Sequence, residues 1–374
     1  MIYLDNAATG GFKPRAVTDV AETVIKFLSA NPGRSSHRLA ITGSEIILSC
    51  REKLSAFFGC SFDRVIFTKN CTESLNLAIF GTVKKGGHVI TTTFEHNSVL
   101  RPLFYLERLG LITLDVVSPL DNQDISEVIE SKINDNTYLI VCTLASNVTG
   151  EQMPYKKIGE IAKRNNLLFL VDGAQGAGHI PVSIKDDNIS LLAVAGHKGL
   201  YGIMGSGALL INDGVTVNPV SFGGSGVDTF NQDMPENYPE RLEAGTLNLP
   251  AIASLKEGVN FISANLTHFR EQTYALTKRI IDELSKMPRI KLFSKPNPFG
   301  IVSFLIEGFD SQEICDILNS EYDIAVRGGF HCAPLTHKYL NTVKSGLIRV
   351  SVCIHNSASE ISHLLFALRR ITNR

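Results

Sequence analysis

Polar residues follow several short apolar runs, at the points where predicted β-strands end. Asp172 follows the run 167–171, and His197 and Lys198 follow the run 191–195. Three further strand ends carry a candidate helix N-terminus, a histidine and an amide, which are Cys71 with Thr72, His96 and Asn147. Each of these alone is more often a capping, turn or solvated residue. Because ligands bind at the carboxyl ends of strands in an open α/β sheet, their coincidence at one sheet edge predicts a binding site.

The residue types in this set suit pyridoxal phosphate. A lysine between glycines, such as Lys198, can bond covalently to an aldehyde. A buried Asp172 would keep a pyridine nitrogen protonated, which the ring needs in order to accept electrons. A helix N-terminus offers free amide groups to a phosphate. His96 could stack on the ring and move protons, and Gln175 could hydrogen-bond the phenolic oxygen, with Asn147 nearby. Nucleotide binding is disfavoured, since the glycines at 173–178 reverse the dinucleotide spacing and no GxxxxGK[ST] motif occurs.

A second cluster lies in a glycine-rich segment, residues 327–334. Cys332 stands beside His331 and near Arg327, and positive neighbours lower a thiol pKa and favour the reactive thiolate. The glycines would let that thiolate swing into a site in another domain, whereas the alternative is a buried structural thiol. Arg349 lies among apolar residues in a predicted strand, and a buried arginine needs a carboxylate partner. That partner is either an amino-acid substrate or an internal acidic residue.

The elements that must position these residues alternate strand and helix along the first 212 residues. Apolar strands between helices predict an α/β fold with a mostly parallel sheet covered on both faces. Residues 213–248 are predicted to form long connecting loops, and 250–286 one long helical stretch. Strands at 301–306, 324–326 and 347–350 with helices at 311–320 and 357–371 predict a smaller α+β domain. We expect a large domain of residues 16–254 and a small domain of 1–15 with 255–374.

Composition excludes several other classes of protein. The 374 residues are 44% hydrophobic and 20% charged, which predicts a globular chain rather than a disordered one. A net charge of −1 gives no electrostatic attraction to nucleic acid or to an anionic membrane surface. No apolar run approaches the ~18 residues of a membrane helix. Seven scattered cysteines without a CxxC or HExxH motif argue against disulfides and against a metal site, and they favour the reducing cytoplasm.

Over nearly its whole length the chain resembles the class V aminotransferase family, and within it the cysteine desulfurase and selenocysteine lyase branch. The resemblance rests on motifs spread along the chain: Tyr3-Leu4-Asp5-Asn6-Ala7-Ala8-Thr9, Asn31-Pro32-Gly33-Arg34, Thr72-Glu73-Ser74-Leu75-Asn76, Glu95-His96-Asn97-Ser98, Val171-Asp172-Gly173-Ala174-Gln175, Gly196-His197-Lys198, Glu243-Ala244-Gly245-Thr246, His331-Cys332-Ala333-Pro334 and Arg349. It implies fold type I of the pyridoxal-phosphate enzymes and a homodimer with its sites at the subunit interface.

By matching position, the resemblance implies a set of cofactor contacts. Lys198 would hold the cofactor and Asp172 would face the pyridine nitrogen. His96 would stack on the ring, while Gln175 and Asn147 would contact ring substituents.

The resemblance also implies how the phosphate is bound. Thr72 and His197 would contact it, and the partner subunit would supply Thr246. Two positions depart from the family pattern. Ala195 replaces a serine that usually helps to bind the phosphate, and Cys71 replaces a common threonine beside Thr72, where its backbone amide would still serve.

For the substrate, the resemblance implies that Arg349 clamps the carboxylate, with Arg327 bordering the pocket and Asn147 nearby. Cys332 would be the nucleophile that takes sulfur, and its short loop is similar to that of the compact-loop group. The implied reaction converts L-cysteine to alanine and leaves a persulfide on Cys332 for an acceptor protein or a reductant.

Three alternatives remain open. The first is a selenocysteine lyase, which has the same set of residues. The second is a transaminase, racemase or carbon–sulfur lyase in which Cys332 is incidental. The third is an inactive relative that acts as an assembly or carrier partner, against which the retained Lys198, Asp172, His96 and Cys332 argue.

Overall fold

The computed structural model describes residues 1–33, 35–119 and 124–373, so Arg34 of the second motif lies outside the described residues. The strands are β1 (Ile2–Tyr3), β2 (Val65–Thr68), β3 (Gly87–Thr92), β4 (Ile112–Val117), β5 (Thr137–Thr143), β6 (Leu168–Asp172), β7 (Leu191–Ala195), β8 (Gly207–Ile211), β9 (Ile290–Leu292), β10 (Ile301–Ile306), β11 (Ile324–Ala325) and β12 (Ile348–Ser351). The α-helices are α1 (Arg15–Phe27), α2 (Arg38–Phe58), α3 (Cys71–Gly81), α4 (Asn97–Arg108), α5 (Ile125–Ser131), α6 (Tyr155–Arg164), α7 (Leu249–Ser263), α8 (Leu266–Leu284), α9 (Ser311–Tyr322), α10 (Pro334–Tyr339) and α11 (Ala358–Thr372).

The central sheet has, among the described residues, seven strands in the order β2-β8-β7-β6-β5-β3-β4. β8 runs antiparallel to β2 and β7, and the other neighbouring pairs are parallel. Alternate strand residues enter two different cores, since Phe67 packs with residues of α2 and α6 while Ile66 packs with residues of α3 and α4. The predicted α/β fold, with a mostly parallel sheet covered on both faces, is therefore confirmed.

A smaller α+β part follows in the chain. β12, β10 and β9 form an antiparallel sheet, and β1 pairs in parallel with β11. Leu4, just after β1, belongs to the same core as residues of α8, α9 and α11. The N-terminal strand therefore packs with the C-terminal part of the chain.

The predicted helix over 250–286 is instead two helices. α7 ends at Ser263 and α8 begins at Leu266. Asn265 Nδ2 donates to the carbonyl oxygen of Phe261 at 2.9 Å, and this side-chain bond competes with continuation of the helix. The sequence analysis also did not assign the short elements β9 and α10, whose few residues carry little periodicity.

The domain division stays a proposal. α7 packs against α1 and α2, so a boundary between residues 254 and 255 would cut a helix that belongs to the large domain. We propose a boundary after Ser263 instead. In the part of the chain that the structure describes, no helix is long and apolar enough to cross a membrane.

Candidate active site

The main cavity of the candidate site opens at the carboxyl ends of the parallel strands. Its wall brings together eight of the predicted site residues: Cys71, Thr72, His96, Asn147, Asp172, Gln175, His197 and Lys198. It also includes Ser98, Thr143 and Ala195. Arg327, Cys332, Arg349 and Thr246 do not line this cavity.

Asp172 and Lys198 come from neighbouring strand ends. Asp172 is the last residue of β6 and is buried, and its Oδ1 accepts hydrogen bonds from Ala174 N at 2.9 Å and from Cys71 Sγ at 3.4 Å. Lys198 follows β7. Burial lowers the pKa of its amine, and the positive charges of Arg349 and Arg327 lower it further. The negative charge of Asp172 raises this pKa and offsets part of the shift. A lowered amine pKa increases the nucleophilic free-base fraction.

His96 is the N-cap of α4. Its Nδ1 accepts a hydrogen bond from Ser98 N at 3.0 Å, which assigns the ring proton to Nε2 in the neutral tautomer. Burial lowers the pKa of the imidazole, and the charges of Lys198 and Arg327 lower it further, although Asp172 raises it. The residue therefore presents a neutral ring with an Nε2–H donor.

Ser98 connects the histidine with the phosphate-binding candidates. Its Oγ lies 2.9 Å from His96 Nδ1 and 2.7 Å from Thr72 Oγ1. The sequence analysis did not single out Ser98, although it lies within the Glu95–Ser98 motif. The signal that could have found it is its position in the first turn of α4, two residues after the histidine.

The N-terminus of α3 opens on the same cavity through Cys71 and Thr72. Asn70 caps the helix, because its side chain accepts from Glu73 N at 2.9 Å. A Cβ at Gly207 of β8 would come within 3.0 Å of Asn70 Cα, so this glycine permits the helix to begin close to the sheet. The first amide groups of a helix have no intrahelical acceptor and bind anions.

Two other predicted residues bind the N-terminal segment. Gln175 Nε2 donates to the carbonyl oxygen of Ala7 at 3.0 Å. His197 Nδ1 lies 3.1 Å from Thr9 Oγ1, and burial together with the positive charges of Lys198 and Lys13 lowers the pKa of its imidazole to about 4. His197 is thus a neutral hydrogen-bonding group at neutral pH.

Cys332 is exposed on the loop before α10, and it has a positive φ of 57°. Two backbone carbonyl oxygens of this loop accept hydrogen bonds from the start of α4 and from the segment after β5. Asn97 N donates to Cys332 O at 2.8 Å, and Asn147 Nδ2 donates to His331 O at 2.6 Å. His331 is buried, and burial lowers the pKa of its imidazole to about 2, so it is neutral and is not the positive neighbour that the sequence suggested.

Arg349 is buried and already paired within the chain. Its Nη2 donates to Asp5 Oδ1 at 2.9 Å, and its Nη1 donates to the carbonyl oxygen of Asn147 at 2.9 Å. The internal carboxylate that the sequence analysis left open is therefore Asp5. Arg349 Nε is buried and has no hydrogen-bond partner among the described residues. The backbone of Arg327 pairs with that of Arg349, which places the two arginines side by side.

Thr246 lies apart from the other phosphate-binding candidates of its own chain. It is exposed and lines a different cavity, together with Thr68, Lys69 and Gly205. Its contribution to the site of a partner subunit stays a prediction.

The donor set of the main cavity fits pyridoxal phosphate. Both hydrogen bonds that the Asp172 carboxylate accepts from described residues use Oδ1, so Oδ2 is the oxygen left for a ring nitrogen. Lys198 supplies an amine of lowered pKa and the first turn of α3 supplies amide groups for a phosphate. His96 supplies a neutral aromatic ring.

Comparison with known proteins gives consistent matches. The family model described as Aminotransferase class-V matches residues 2–364. A probable cysteine desulfurase of Methanothermobacter thermautotrophicus is 30% identical, over 99% of this chain and 94% of that protein. The apo structure of a cysteine desulfurase from Thermococcus onnurineus NA1 has 31% identity and a TM-score of 0.90, covering 100% of this chain and 94% of that one. The crystal structure of the Escherichia coli cysteine desulfurase CsdA (S-sulfonic acid) has 25% identity and a TM-score of 0.88, covering 99% of this chain and 94% of that one.

Proposed function

The chain belongs to the aminotransferase class-V family, and from that premise we propose that it is a pyridoxal-phosphate-dependent cysteine desulfurase. The proposed reaction converts L-cysteine to L-alanine and leaves the sulfur as a persulfide on Cys332. The observation that carries this proposal is the position of Cys332. Its thiol is exposed, and its backbone carbonyl oxygen accepts a hydrogen bond from the amide of Asn97, the residue after His96. The similar proteins that are named cysteine desulfurases support it further.

We propose that the cofactor is held by residues of the main cavity. Lys198 would bond to its aldehyde, Asp172 would pair with its ring nitrogen, and the first turn of α3 with Thr72 and His197 would bind its phosphate. When bound, the cofactor supplies an electron sink that labilises bonds at the substrate's α-carbon and allows the carbon–sulfur bond to break. His96 would lie against the ring, and its Nε2–H would hold or move a proton.

The sulfur-transfer step balances without an external oxidant. The Cys332 thiolate attacks the substrate sulfur, so that a sulfur–sulfur bond forms as the carbon–sulfur bond breaks. The electron pair stays with carbon, which takes up a proton and leaves as the methyl group of alanine. Carbon is reduced and sulfur is oxidised within the same exchange. Lys198 and His96 are the groups that the cavity offers for proton movement.

The finer assignments are part of the same proposal. Arg349 would bind the substrate carboxylate through its unpartnered Nε, with Arg327 bordering the site. The protein would act as a homodimer in the cytoplasm, where its unpaired cysteines stay reduced, and would pass sulfur to an acceptor protein.

Alanine release from L-cysteine tests this function. Cofactor-loaded protein is incubated with L-cysteine and a thiol reductant, beside the variants Cys332→Ala and Cys60→Ala. We expect alanine from the wild type and from Cys60→Ala, and none above background from Cys332→Ala. Equal turnover by Cys332→Ala would contradict the persulfide mechanism and favour a transaminase or lyase reaction. A parallel assay with L-selenocysteine distinguishes a selenocysteine lyase.

A further inference from the structure

Glu95 is a buried carboxyl group next to the active site that the proposed reaction does not use. It directly precedes His96 and its exposed fraction is 0%. Its Oε1 accepts hydrogen bonds from Thr92 Oγ1 at 2.6 Å and from Thr143 N at 3.0 Å. Thr143 is the last residue of β5 and stands opposite Asp172 of β6 in the sheet. Glu95 therefore connects the turn of His96 with the strand end beside Asp172.

The second oxygen of this carboxyl group has no partner. Oε2 is buried and makes no hydrogen bond to any described residue. An ionised carboxylate with one oxygen unsatisfied in an apolar interior is strongly unfavourable. A carboxylic acid avoids most of that cost, because its carbonyl oxygen still accepts both bonds that Oε1 accepts.

The surroundings also disfavour a negative charge on Glu95. Burial raises the pKa of its carboxyl to about 8. The negative charge on Asp172 also raises this pKa, whereas the hydrogen bonds from Thr92 and Thr143 lower it. Besides Asp172 on β6, nearby ionisable groups include Cys142 on β5 and His96 on its own turn. Burial raises the pKa of the Cys142 thiol well above its ordinary value, and burial lowers that of the His96 imidazole, so neither adds a charge.

We propose that Glu95 is a positioning residue that works as a neutral carboxylic acid, fixing the His96 turn to the end of β5 without placing a second negative charge beside Asp172. Asp172 then remains the anionic partner of a cofactor ring nitrogen. The inference rests on the proposed function for the roles of His96 and Asp172, but the protonation of Glu95 is measurable without turnover.

The first test compares thermal stability across pH for the cofactor-loaded wild type and Glu95→Gln. In the unfolded chain Glu95 ionises near its ordinary pKa of 4.5, whereas in the folded protein it ionises only near 8. Folded protein thus binds the extra proton between these values, and the stability due to Glu95 falls as pH rises through this window. We expect the Tm of Glu95→Gln to rise relative to that of the wild type between about pH 5 and pH 8. Parallel Tm curves would overturn the proposal. Glu107→Gln, at an exposed glutamate of α4, controls for the substitution itself and should follow the wild type.

The second test detects the proton directly and reports on the position of His96. The infrared difference spectrum of wild type minus Glu95→Gln should contain the carbonyl band of a protonated carboxyl at neutral pH, replaced by carboxylate bands at alkaline pH. A carboxylate band at neutral pH would overturn the proposal. The absorption spectrum of the bound cofactor should be the same in Glu95→Gln and wild type at neutral pH and altered in Glu95→Ala, because glutamine retains the oxygen that accepts from Thr92 and Thr143. An unaltered spectrum in Glu95→Ala would contradict a positioning role. If these tests fail while the wild type still releases alanine, only this inference is wrong.

Discussion

At the scale of single residues, burial decides which groups of the site carry charge. It lowers the pKa of the Lys198 amine and keeps the imidazoles of His96, His197 and His331 neutral. Positive charge near the Cys332 loop therefore comes from Arg327 and Arg349 rather than from the adjacent histidine. The residue types of the site are readable from the sequence, but their protonation depends on packing that only the folded chain has.

Asp5 holds the buried guanidinium of Arg349, so Asp5→Asn should both destabilise the protein and weaken substrate binding. Removing one partner of a buried ion pair leaves the other charge uncompensated, and we expect a loss of about 3 kcal/mol. Urea unfolding measures that loss. The KM for L-cysteine should rise more than kcat falls, because Arg349 is the proposed carboxylate site. An unchanged KM would contradict that role.

Buried neutral histidines should make the protein acid-sensitive. Burial lowers the pKa of His331 to about 2, from an ordinary value of 6.5. The unfolded chain therefore binds more protons below pH 6.5, and stability falls as pH decreases from that value toward 2. At about pH 5 the loss is about 2 kcal/mol for this residue alone. A variant His331→Gln should show a smaller fall in Tm between about pH 7 and pH 5, and an identical fall would contradict the assignment.

At the scale of elements, hydrogen bonds fix the loop that carries Cys332 to neighbouring parts of the chain. Besides the bonds from Asn97 and Asn147, Thr336 Oγ1 of α10 donates to the carbonyl oxygen of Thr93 at 2.9 Å. The sequence suggested that glycines would let the thiolate swing, whereas the structure has the loop bonded to the end of β3 and the start of α4. Backbone carbonyl bonds of this kind leave no sequence pattern, which is why the sequence analysis missed them.

Removing the hydrogen bond from Thr336 Oγ1 to the carbonyl oxygen of Thr93 should slow sulfur transfer and have little effect on the stability of the folded protein. Thr336→Val keeps the shape of the side chain and loses one hydrogen bond, worth about 1 kcal/mol. We expect single-turnover persulfide formation to slow about fivefold, because Cys332 would be positioned less accurately for attack on the substrate sulfur. Thr336→Ser keeps the hydroxyl and should match the wild type. Equal rates for all three proteins would show that this hydrogen bond does not affect sulfur transfer.

The order of the elements shows how far sequence reasoning reaches. The alternation of helices and strands over the first 212 residues followed from apolar periodicity, and the predicted runs 167–171 and 191–195 are present as β6 and β7. The break at Asn265 depends on one side-chain bond to Phe261, and the antiparallel direction of β8 depends on its neighbours β2 and β7. Neither feature can be predicted from apolar periodicity. The grouping of Asp172, His197 and Lys198 around one cavity was predictable because these residues lie at or just after strand ends.

At the scale of the whole molecule, the main cavity is proposed to be complete only with a second copy of the chain. Thr246 lies outside its own chain's main cavity, in a pocket that it lines together with Val220 and Ser221, and Phe222 and Phe230 of the segment that follows Ser221 are 73% and 101% exposed. Large exposed aromatic side chains in one segment indicate an interaction surface. A homodimer would cover them and bring Thr246 to the partner's phosphate site.

Mixing two variants that are each impaired as homodimers tests this arrangement. Lys198→Ala lacks the cofactor lysine, and Thr246→Ala lacks the proposed partner contact. In a mixed dimer one site would receive both defects and the other neither, so the intact sites of an equal refolded mixture should contribute about a quarter of wild-type activity. Activity no greater than the sum of the separate variants would contradict a shared site.

The most direct measurement of the central claim is the intact mass of cofactor-loaded protein after a single turnover with L-cysteine and no reductant. We expect the wild type to gain one sulfur atom, mapped to the peptide that contains Cys332, with one alanine released per added sulfur. Cys332→Ala should gain no sulfur and release no stoichiometric alanine. Alanine release without added mass, or sulfur on another cysteine, would contradict the assignment of Cys332 as the nucleophile.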